Sequence, residues 1–190
     1  MAAALAVALA RRIGGEIISA DSRQIYRELT IGTGKDLNEY EQGGETVPHH
    51  LINILDVGAP YSVAHFQKDA FDAMAIIDAR GHIPILCGGT GLYLDAVLQQ
   101  YTFSQQAPFI PVPLVLDRST RVFGLNPPVE LRRTMCARRL ITRLEEGLVN
   151  EVRDLLAAGV SPADLIWLGL EYKWLTLFLQ EELSYEEFVE

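Results

Sequence analysis

Four polar residues, Asp21-Ser22-Arg23-Gln24, follow directly on an apolar stretch of the chain. That stretch, Glu16–Ala20, predicts a short buried strand. Open α/β sheets bind their ligands at the carboxyl ends of their strands, where these four side chains are expected. A carboxylate at such a place can accept a proton from a substrate amine, and its neighbours can recognise polar edges. The alternative is that Asp21 caps a following helix.

A glycine-rich turn, Gly88-Gly89-Thr90-Gly91, follows a second predicted buried strand, Ile83–Cys87. A helix predicted over 91–100 starts at this turn. Glycines let the backbone approach an anion closely, while helix N-terminal amides and the Thr90 hydroxyl can donate hydrogen bonds to phosphate. Turns of this kind are common, so the turn indicates a phosphate site only together with the polar run on the other strand.

A second glycine-rich turn, Ile31–Asp36, contains the pair Gly34-Lys35. Its spacing differs from that of a phosphate-binding loop, which needs glycine at the position of Leu29 and serine or threonine at the position of Asp36. Lys35 is still a candidate phosphate ligand, and a surface turn is an equal alternative.

The histidines show no spacing typical of a metal site. His49 and His50 are adjacent, so in a strand they point to opposite faces, and His65 and His82 lie elsewhere in the chain. The sequence therefore assigns no protein side chain as a metal ligand.

Basic residues are concentrated in one block of the chain. Residues 117–143 carry a net charge of +5, between segments of −5 and −9. Within this block Arg132, Arg139 and Arg143 share roughly one face of a predicted helix. They can bind diphosphate or RNA phosphate, or only solvate the helix.

The elements that position these residues alternate between strand and helix, which predicts a parallel α/β sheet. Two heptad-spaced aromatics, Trp167 and Trp174, are predicted in the core. Strands are predicted at 16–20, 51–55, 83–87 and 122–125, and helices over 2–12, from 62 to 81, over 91–100, from 127 to 155, from 161 and from 184.

Composition excludes two classes of protein. Of 190 residues, 49% are hydrophobic and 22% charged, which is incompatible with intrinsic disorder, and the sequence has no apolar run long enough for a membrane helix. Residues 1–12 do not resemble a targeting peptide, because the charge follows the apolar stretch. Cys87 and Cys136 stand in apolar segments, as in cytoplasmic proteins without disulfides. We therefore expect a cytoplasmic location.

Taken together, these segments resemble the tRNA dimethylallyltransferase family. They occur in the family's order, and the resemblance covers about 5–98 and 121–190. The matching segments are 17–26 (IISADSRQIY), 31–36 (IGTGKD), 48–52 (PHHLI), 87–94 (CGGTGLYL), 146–152 (EGLVNEV) and 169–173 (GLEYK).

The resemblance implies transfer of a dimethylallyl group from dimethylallyl diphosphate to N6 of adenosine 37 in the tRNA anticodon loop, with Mg²⁺ assisting departure of the diphosphate. It implies that Asp21 is the general base and, with Ser22, Arg23 and Gln24, binds the tRNA. Gly89, Thr90 and Lys35 correspond to diphosphate-binding positions, Thr90 at the oxygen that bridges prenyl group and diphosphate. Arg139 matches the second arginine of the family's Arg-Ile-x-x-Arg pattern, whose first position is Met135 here.

The resemblance also implies a fold, a parallel sheet of the P-loop NTPase type followed by C-terminal helices. We expect an α/β core over 1–126, with 99–121 as a linker, and helices over 127–190. Three departures from the family pattern stand out: Met1–Ala4 occupy the place of the phosphate loop after the first strand, the tRNA-gripping insertion is reduced to the linker, and a C-terminal helix is missing. They lead us to expect weak or no activity, and we expect a monomer.

Two other functions are compatible with the sequence. Adenylate isopentenyltransferase uses the same donor on a free nucleotide and needs no tRNA-gripping insertion. A non-catalytic RNA-binding remnant would use the arginines of 132–143. Salt-dependent tRNA binding without turnover would favour the second alternative.

Overall fold

The structure is a computed structural model that describes residues 2–42, 44–103 and 120–189. Most of the predicted linker 99–121 lies outside the described residues. The helices are α1 (Ala2–Ile13), α2 (Val63–Ala79), α3 (Gly91–Gln99), α4 (Val129–Glu145), α5 (Leu148–Ala157), α6 (Pro162–Leu168), α7 (Leu170–Leu179) and α8 (Tyr185–Val189). The strands are β1 (Gly15–Ser19), β2 (Glu41–Gln42), β3 (Glu45–Thr46), β4 (His49–His50) and β5 (Ile83–Cys87).

The chain divides into two compact units that do not follow sequence order. The first unit contains Met1–Ile25, Asp36–Ile52 and Pro60–Leu125, and the second contains Tyr26–Lys35, Asn53–Ala59 and Asn126–Glu190. The second unit thus takes two short segments from the N-terminal half, which no sequence pattern had indicated.

The first unit is built on a three-stranded parallel sheet in the order β4-β1-β5. In β1 every residue is buried, and Ile17 pairs with His49 on one side and Ile85 on the other. Helix α1 covers the sheet because Ala6, Val7 and Ala10 form an apolar stripe. The predicted α/β class and parallel sheet are confirmed.

A buried carboxylate joins the three strands near the start of β1. Glu16 accepts hydrogen bonds from His50 and His82, both at 2.7 Å, and from Arg80 at 3.1 Å. Burial alone would raise the pKa of Glu16, but these three partners outweigh it and lower the pKa to about 2.

The second unit is helical. Its core contains Leu148, Val152 and Leu155 from α5 and Leu165, Tyr172 and Leu175 from α6 and α7. The helical stretch predicted from 127 to 155 is two helices, because Gly147 adopts a left-handed conformation with φ of 102°.

Four predictions from the pattern are wrong. The strand predicted at 51–55 is the pair His49–His50, because Leu51 and Asn53 have φ near +60° and turn the chain. Residues 122–125 form no strand and are exposed. Trp167 is 76% exposed, so it is not in the core, and Trp174 is 45% exposed. Cys136 is exposed on α4.

Candidate functional site

The chain leaves β1 in a turn that is fixed by its own aspartate. The backbone N–H of Arg23 donates to Asp21 Oδ1 at 2.9 Å. Residues 22–25 form a turn and not a helix. The alternative that Asp21 caps a helix is therefore wrong, and Asp21 instead stabilises this turn. The four side chains from Asp21 to Gln24 are all half-buried at the carboxyl end of β1, as the sequence predicted.

The glycine-rich turn after β5 lies directly against this segment. Ala20 N–H donates to Cys87 O at 2.8 Å, and Thr90 N–H donates to Ala20 O at 3.1 Å. A Cβ atom on Gly88 would stand 2.7 Å from Ala20 Cα and nearer still to its carbonyl group. Glycine at position 88 is therefore required for the two strand ends to meet.

The hydroxyl of Thr90 connects the two turns. Thr90 precedes the first residue of α3, but its side chain makes no capping hydrogen bond. Its Oγ1 accepts from Ser22 N–H at 3.0 Å and donates to Ser22 Oγ at 3.3 Å. The structure thus brings the predicted pair Asp21 and Thr90 to the same edge of the sheet.

Gly89 and Gly91 flank this hydroxyl and are not needed by the protein itself. A Cβ atom at either position would meet no atom within 4 Å, and neither residue has a left-handed backbone. Gly89 is exposed next to the N-terminus of α3. Space beside glycines at a helix N-terminus is suited to an anion that approaches the backbone closely.

Gln24 is held from inside the sheet by a residue that the sequence analysis did not single out. Ser19 is 3% exposed, and its hydroxyl donates to Gln24 Oε1 at 2.9 Å. A serine directly after the apolar pair Ile17-Ile18 of this strand was the available signal.

Lys35 belongs to the second unit and is 1% exposed. Its ammonium group donates to Tyr26 O, to Asn53 Oδ1 and, at 3.2 Å, to Arg27 O. Burial lowers the pKa of Lys35 to about 8, although Glu151 and Glu28 act in the opposite direction. Since its three protons are donated to protein oxygens, Lys35 has a structural role, and its assignment to diphosphate binding is corrected.

Glu151 holds the turn that contains Lys35, and the sequence analysis missed it. Its carboxylate accepts from the N–H groups of Thr30, Ile31 and Gly32 at 3.0, 2.7 and 3.2 Å. Tyr172 O–H donates to the same carboxylate at 2.6 Å. Burial, together with Glu151, raises the pKa of Tyr172. One acidic residue among eleven in 144–190 gave no signal of this role.

The arginines of α4 divide by exposure. Arg132 and Arg139 are exposed, whereas Arg143 is 6% exposed and its guanidinium carbon would lie 3.0 Å from a Cβ atom on Gly34. Arg139 belongs to the second unit, and Asp21 and Thr90 belong to the first.

The sheet edge carries oxygen groups of the kind that Mg²⁺ binds. Mg²⁺ prefers oxygen ligands and usually keeps waters and substrate phosphates. The Asp21 carboxylate and the hydroxyls of Ser22 and Thr90 supply such oxygens. In the part of the chain that the structure describes, no three His, Cys, Asp or Glu side chains form a metal-binding group. No helix among the described residues is long and apolar enough to cross a membrane.

Comparison with known proteins identifies what this chain resembles. It is 40% identical to tRNA dimethylallyltransferase 1 of Parabacteroides distasonis, over 97% of this chain and 76% of the relative. It is 38% identical to tRNA dimethylallyltransferase 2 of Bacteroides fragilis, over 96% of this chain and 76% of the relative.

Solved structures show the same fold. The full-length tRNA isopentenylpyrophosphate transferase of Bacillus halodurans superposes with a TM-score of 0.81 at 26% identity, over 99% of this chain and 76% of that one. A eukaryotic dimethylallyltransferase acting on tRNA superposes with a TM-score of 0.73 at 20% identity, over 99% of this chain and 62% of that one, and supports the fold alone.

The alignments also indicate an internal difference. The alignment with the Parabacteroides relative runs over 235 positions, although this chain has 190 residues, so the relative carries segments that this chain lacks. The family pattern described as IPP transferase matches in two parts, 24–116 and 105–190, which overlap inside the predicted linker. Since these two matches and the curated relatives together cover nearly all of the sequence, the chain belongs to the IPP transferase family.

Proposed function

We propose that this chain transfers a dimethylallyl group from dimethylallyl diphosphate to the exocyclic N6 of adenosine 37 in the anticodon loop of tRNA. The observation that most supports this function is the hydrogen bond from Ser22 N–H to Thr90 Oγ1, which connects the turn that contains Asp21 to the turn that contains Thr90. Family membership supports the reaction class, and the relatives are tRNA enzymes by name. The comparisons do not favour adenylate isopentenyltransferase or a non-catalytic remnant.

The reaction needs a base beside the attacking amine. The N6 lone pair forms a bond to the allylic carbon, the carbon–oxygen bond to diphosphate breaks, and its electron pair leaves with the diphosphate. Asp21 takes the N6 proton. Its Oδ1 already accepts from Arg23 N–H, which fixes the carboxylate while the second oxygen receives the proton.

The turn after β5 binds the diphosphate leaving group. Thr90 keeps the hydrogen bond from Ser22 N–H and turns its proton from Ser22 Oγ to the bridging oxygen of the donor. The backbone at Gly89 and the N-terminus of α3 lie beside the diphosphate. Arg139 adds positive charge for the diphosphate.

A magnesium ion and three RNA-binding side chains also belong to the proposed site. Mg²⁺ neutralises charge on the diphosphate when bound, and the hydroxyls of Ser22 and Thr90 are suited to hold it together with diphosphate oxygens. Ser22, Arg23 and Gln24 bind the adenosine and its flanking RNA. We further propose a cytoplasmic monomer.

The test is the formation of N6-dimethylallyladenosine in unmodified tRNA that is incubated with the purified chain, dimethylallyl diphosphate and Mg²⁺. The absence of product above an enzyme-free control, by mass spectrometry of digested tRNA, would refute the proposal.

Asp21→Asn tests the base. The amide can still accept from Arg23 N–H, so the turn is kept, but it cannot take a proton. We expect kcat to fall about 10²–10⁴-fold with a small change in KM. The control is Asp72→Asn, the same change on an exposed residue of α2 that pairs with Lys68. Equal loss in both variants would contradict a role for Asp21 as the base.

A further inference from the structure

The backbone at residues 30–32 directs three successive N–H groups at one carboxylate. Thr30 N–H and Ile31 N–H donate to Glu151 Oε2 at 3.0 and 2.7 Å. Gly32 N–H donates to Oε1 of the same carboxylate at 3.2 Å. Successive N–H groups that point at one acceptor form an anion-binding concavity, the arrangement that phosphate loops also use. This turn therefore has the donors of an anion site, although its sequence lacks the spacing of a phosphate loop.

A side-chain hydroxyl adds a fourth donor to this concavity. Tyr172 O–H donates to Glu151 Oε1 at 2.6 Å, so each carboxylate oxygen accepts two hydrogen bonds. Tyr172 is 1% exposed, whereas Glu151 is half-buried and is reached by solvent. All of these groups belong to the second unit. Hydrogen bonds to an ionised acceptor are roughly twice as strong as neutral ones, so the charge of Glu151 matters to the four donors.

The donors make the site selective for a carboxylate, because a backbone N–H can only donate a hydrogen bond. A carboxylate offers two acceptor oxygens and no proton, and a carboxamide would present its NH₂ group to at least one of the three N–H groups. We propose that residues 30–32 and the Tyr172 hydroxyl form a carboxylate-binding site, that Glu151 is its built-in ligand, and that a small free monocarboxylate binds there when this side chain is removed. The inference is independent of the proposed function, since it is measured by stability and not by turnover.

Glu151→Ala with added acetate tests the site. The substitution removes one methylene group and the carboxylate, and acetate supplies the same heavy atoms. We expect the substitution to lower Tm and acetate to raise it again in a saturable manner, by about 3–6 °C at ten times its Kd. Acetamide has the same shape without the charge and should not raise Tm. The unsubstituted chain should show no such response, because its own side chain is present at a high effective concentration.

Glu151→Gln separates charge from shape. The glutamine side chain fills the same space, but in either orientation its NH₂ group faces a backbone N–H. We therefore expect Tm to fall by nearly as much as in Glu151→Ala, without recovery in acetate. A Tm equal to that of the unsubstituted chain would show that a neutral acceptor is sufficient, and would overturn the proposal.

Glu145→Ala is the matched control. Glu145 is exposed at the end of α4, so this variant loses the same side-chain atoms from the surface of the protein. We expect it to respond to acetate as the unsubstituted chain does, at constant ionic strength. If Glu151→Ala is unfolded without ligand, circular dichroism measures the recovery of helix in acetate and in acetamide instead. Equal effects of acetate and acetamide on Glu151→Ala, or no effect of acetate on it, would overturn the proposal.

Discussion

The two glycine-rich turns differ in what surrounds their glycines. In Ile31–Asp36, a Cβ atom on Gly32 would lie 2.5 Å from the nearest ring atom of Tyr172, and the backbone N–H groups of Ile31 and Gly32 donate to Glu151. In Gly88–Gly91, a Cβ atom on Gly89 or Gly91 would meet nothing within 4 Å. The first turn is filled by the protein's own groups, and the second leaves room for another molecule.

This difference separates two reasons for a glycine that a sequence alone cannot distinguish. A glycine packed against a side chain reports on the fold, whereas an unpacked glycine beside a helix N-terminus, such as Gly89, leaves room for a ligand. The polar side chains of the two turns differ in a similar way. The ammonium group of Lys35 donates only to oxygens inside the second unit among its described partners. The hydroxyl of Thr90 lies at the sheet edge, where it accepts from Ser22 N–H.

The largest effect on stability is expected for Lys35→Met. The substitution leaves Tyr26 O, Arg27 O and Asn53 Oδ1 without their donor, so we expect the free energy of unfolding to fall by about 3–5 kcal/mol. Urea unfolding measures the change. In protein that is still folded, the KM for dimethylallyl diphosphate should not change, and a large rise would restore Lys35 as a diphosphate ligand.

The lowered pKa of Lys35 also makes the free energy of unfolding depend on pH. Lys35 has a pKa of about 8 in the folded protein and an ordinary value of 10.5. Between these values the unfolded chain binds a proton that the folded chain does not, so this group makes stability rise with pH. The deficit of Lys35→Met relative to the unsubstituted chain should therefore grow between pH 7.5 and 9.5. A constant deficit over that range would contradict the lowered pKa.

A smaller effect is expected for Gly32→Ala. The added methyl group collides with Tyr172, which is 1% exposed and donates to Glu151, so the ring or the turn must move. We expect a loss of about 2 kcal/mol in the free energy of unfolding. If the ring is the obstacle, adding Gly32→Ala to a Tyr172→Leu variant should lower the free energy of unfolding much less than Gly32→Ala does in the unsubstituted chain.

The smallest effect on stability is expected for Gly89→Ala. No protein atom meets the added methyl group, so the free energy of unfolding should change by no more than about 0.5 kcal/mol. The KM for dimethylallyl diphosphate should rise several-fold, because the methyl group occupies the space assigned to the diphosphate. Gly124→Ala, also in open space, is the control. Equal KM values for the two variants would remove the distinction between the turns.

Much of the first unit could be predicted from local patterns. The strands β1 and β5 were visible as apolar runs and the start of α2 as the capping residue Ser62, and parallel pairing then brought Asp21 and Thr90 together. The burial predicted for β5 is wrong, because its residues are half-buried and Ile83 is exposed. Such signals depend on neighbours in sequence, which is why they were readable.

The second unit was less predictable because its key contacts are distant in sequence. Glu151 binds the N–H groups of residues about 120 positions earlier, and neither partner has an unusual local pattern. The exposure of Trp167 and the burial of Lys35 likewise depend on tertiary context that overrides residue type.

Strand β1 has a buried, ion-paired carboxylate near its start and a half-buried polar turn after its end. Glu16, with its pKa of about 2, contributes stability that is complete above pH 4.5 and is lost as the pH falls towards 2. Roughly 16 Å of extended chain separates it from Asp21, so the hydrogen bonds described for Glu16 do not reach the polar turn. An engineer could therefore adjust the acid tolerance of this sheet through Glu16, His50 or Arg80 and leave the polar turn at the other end undisturbed.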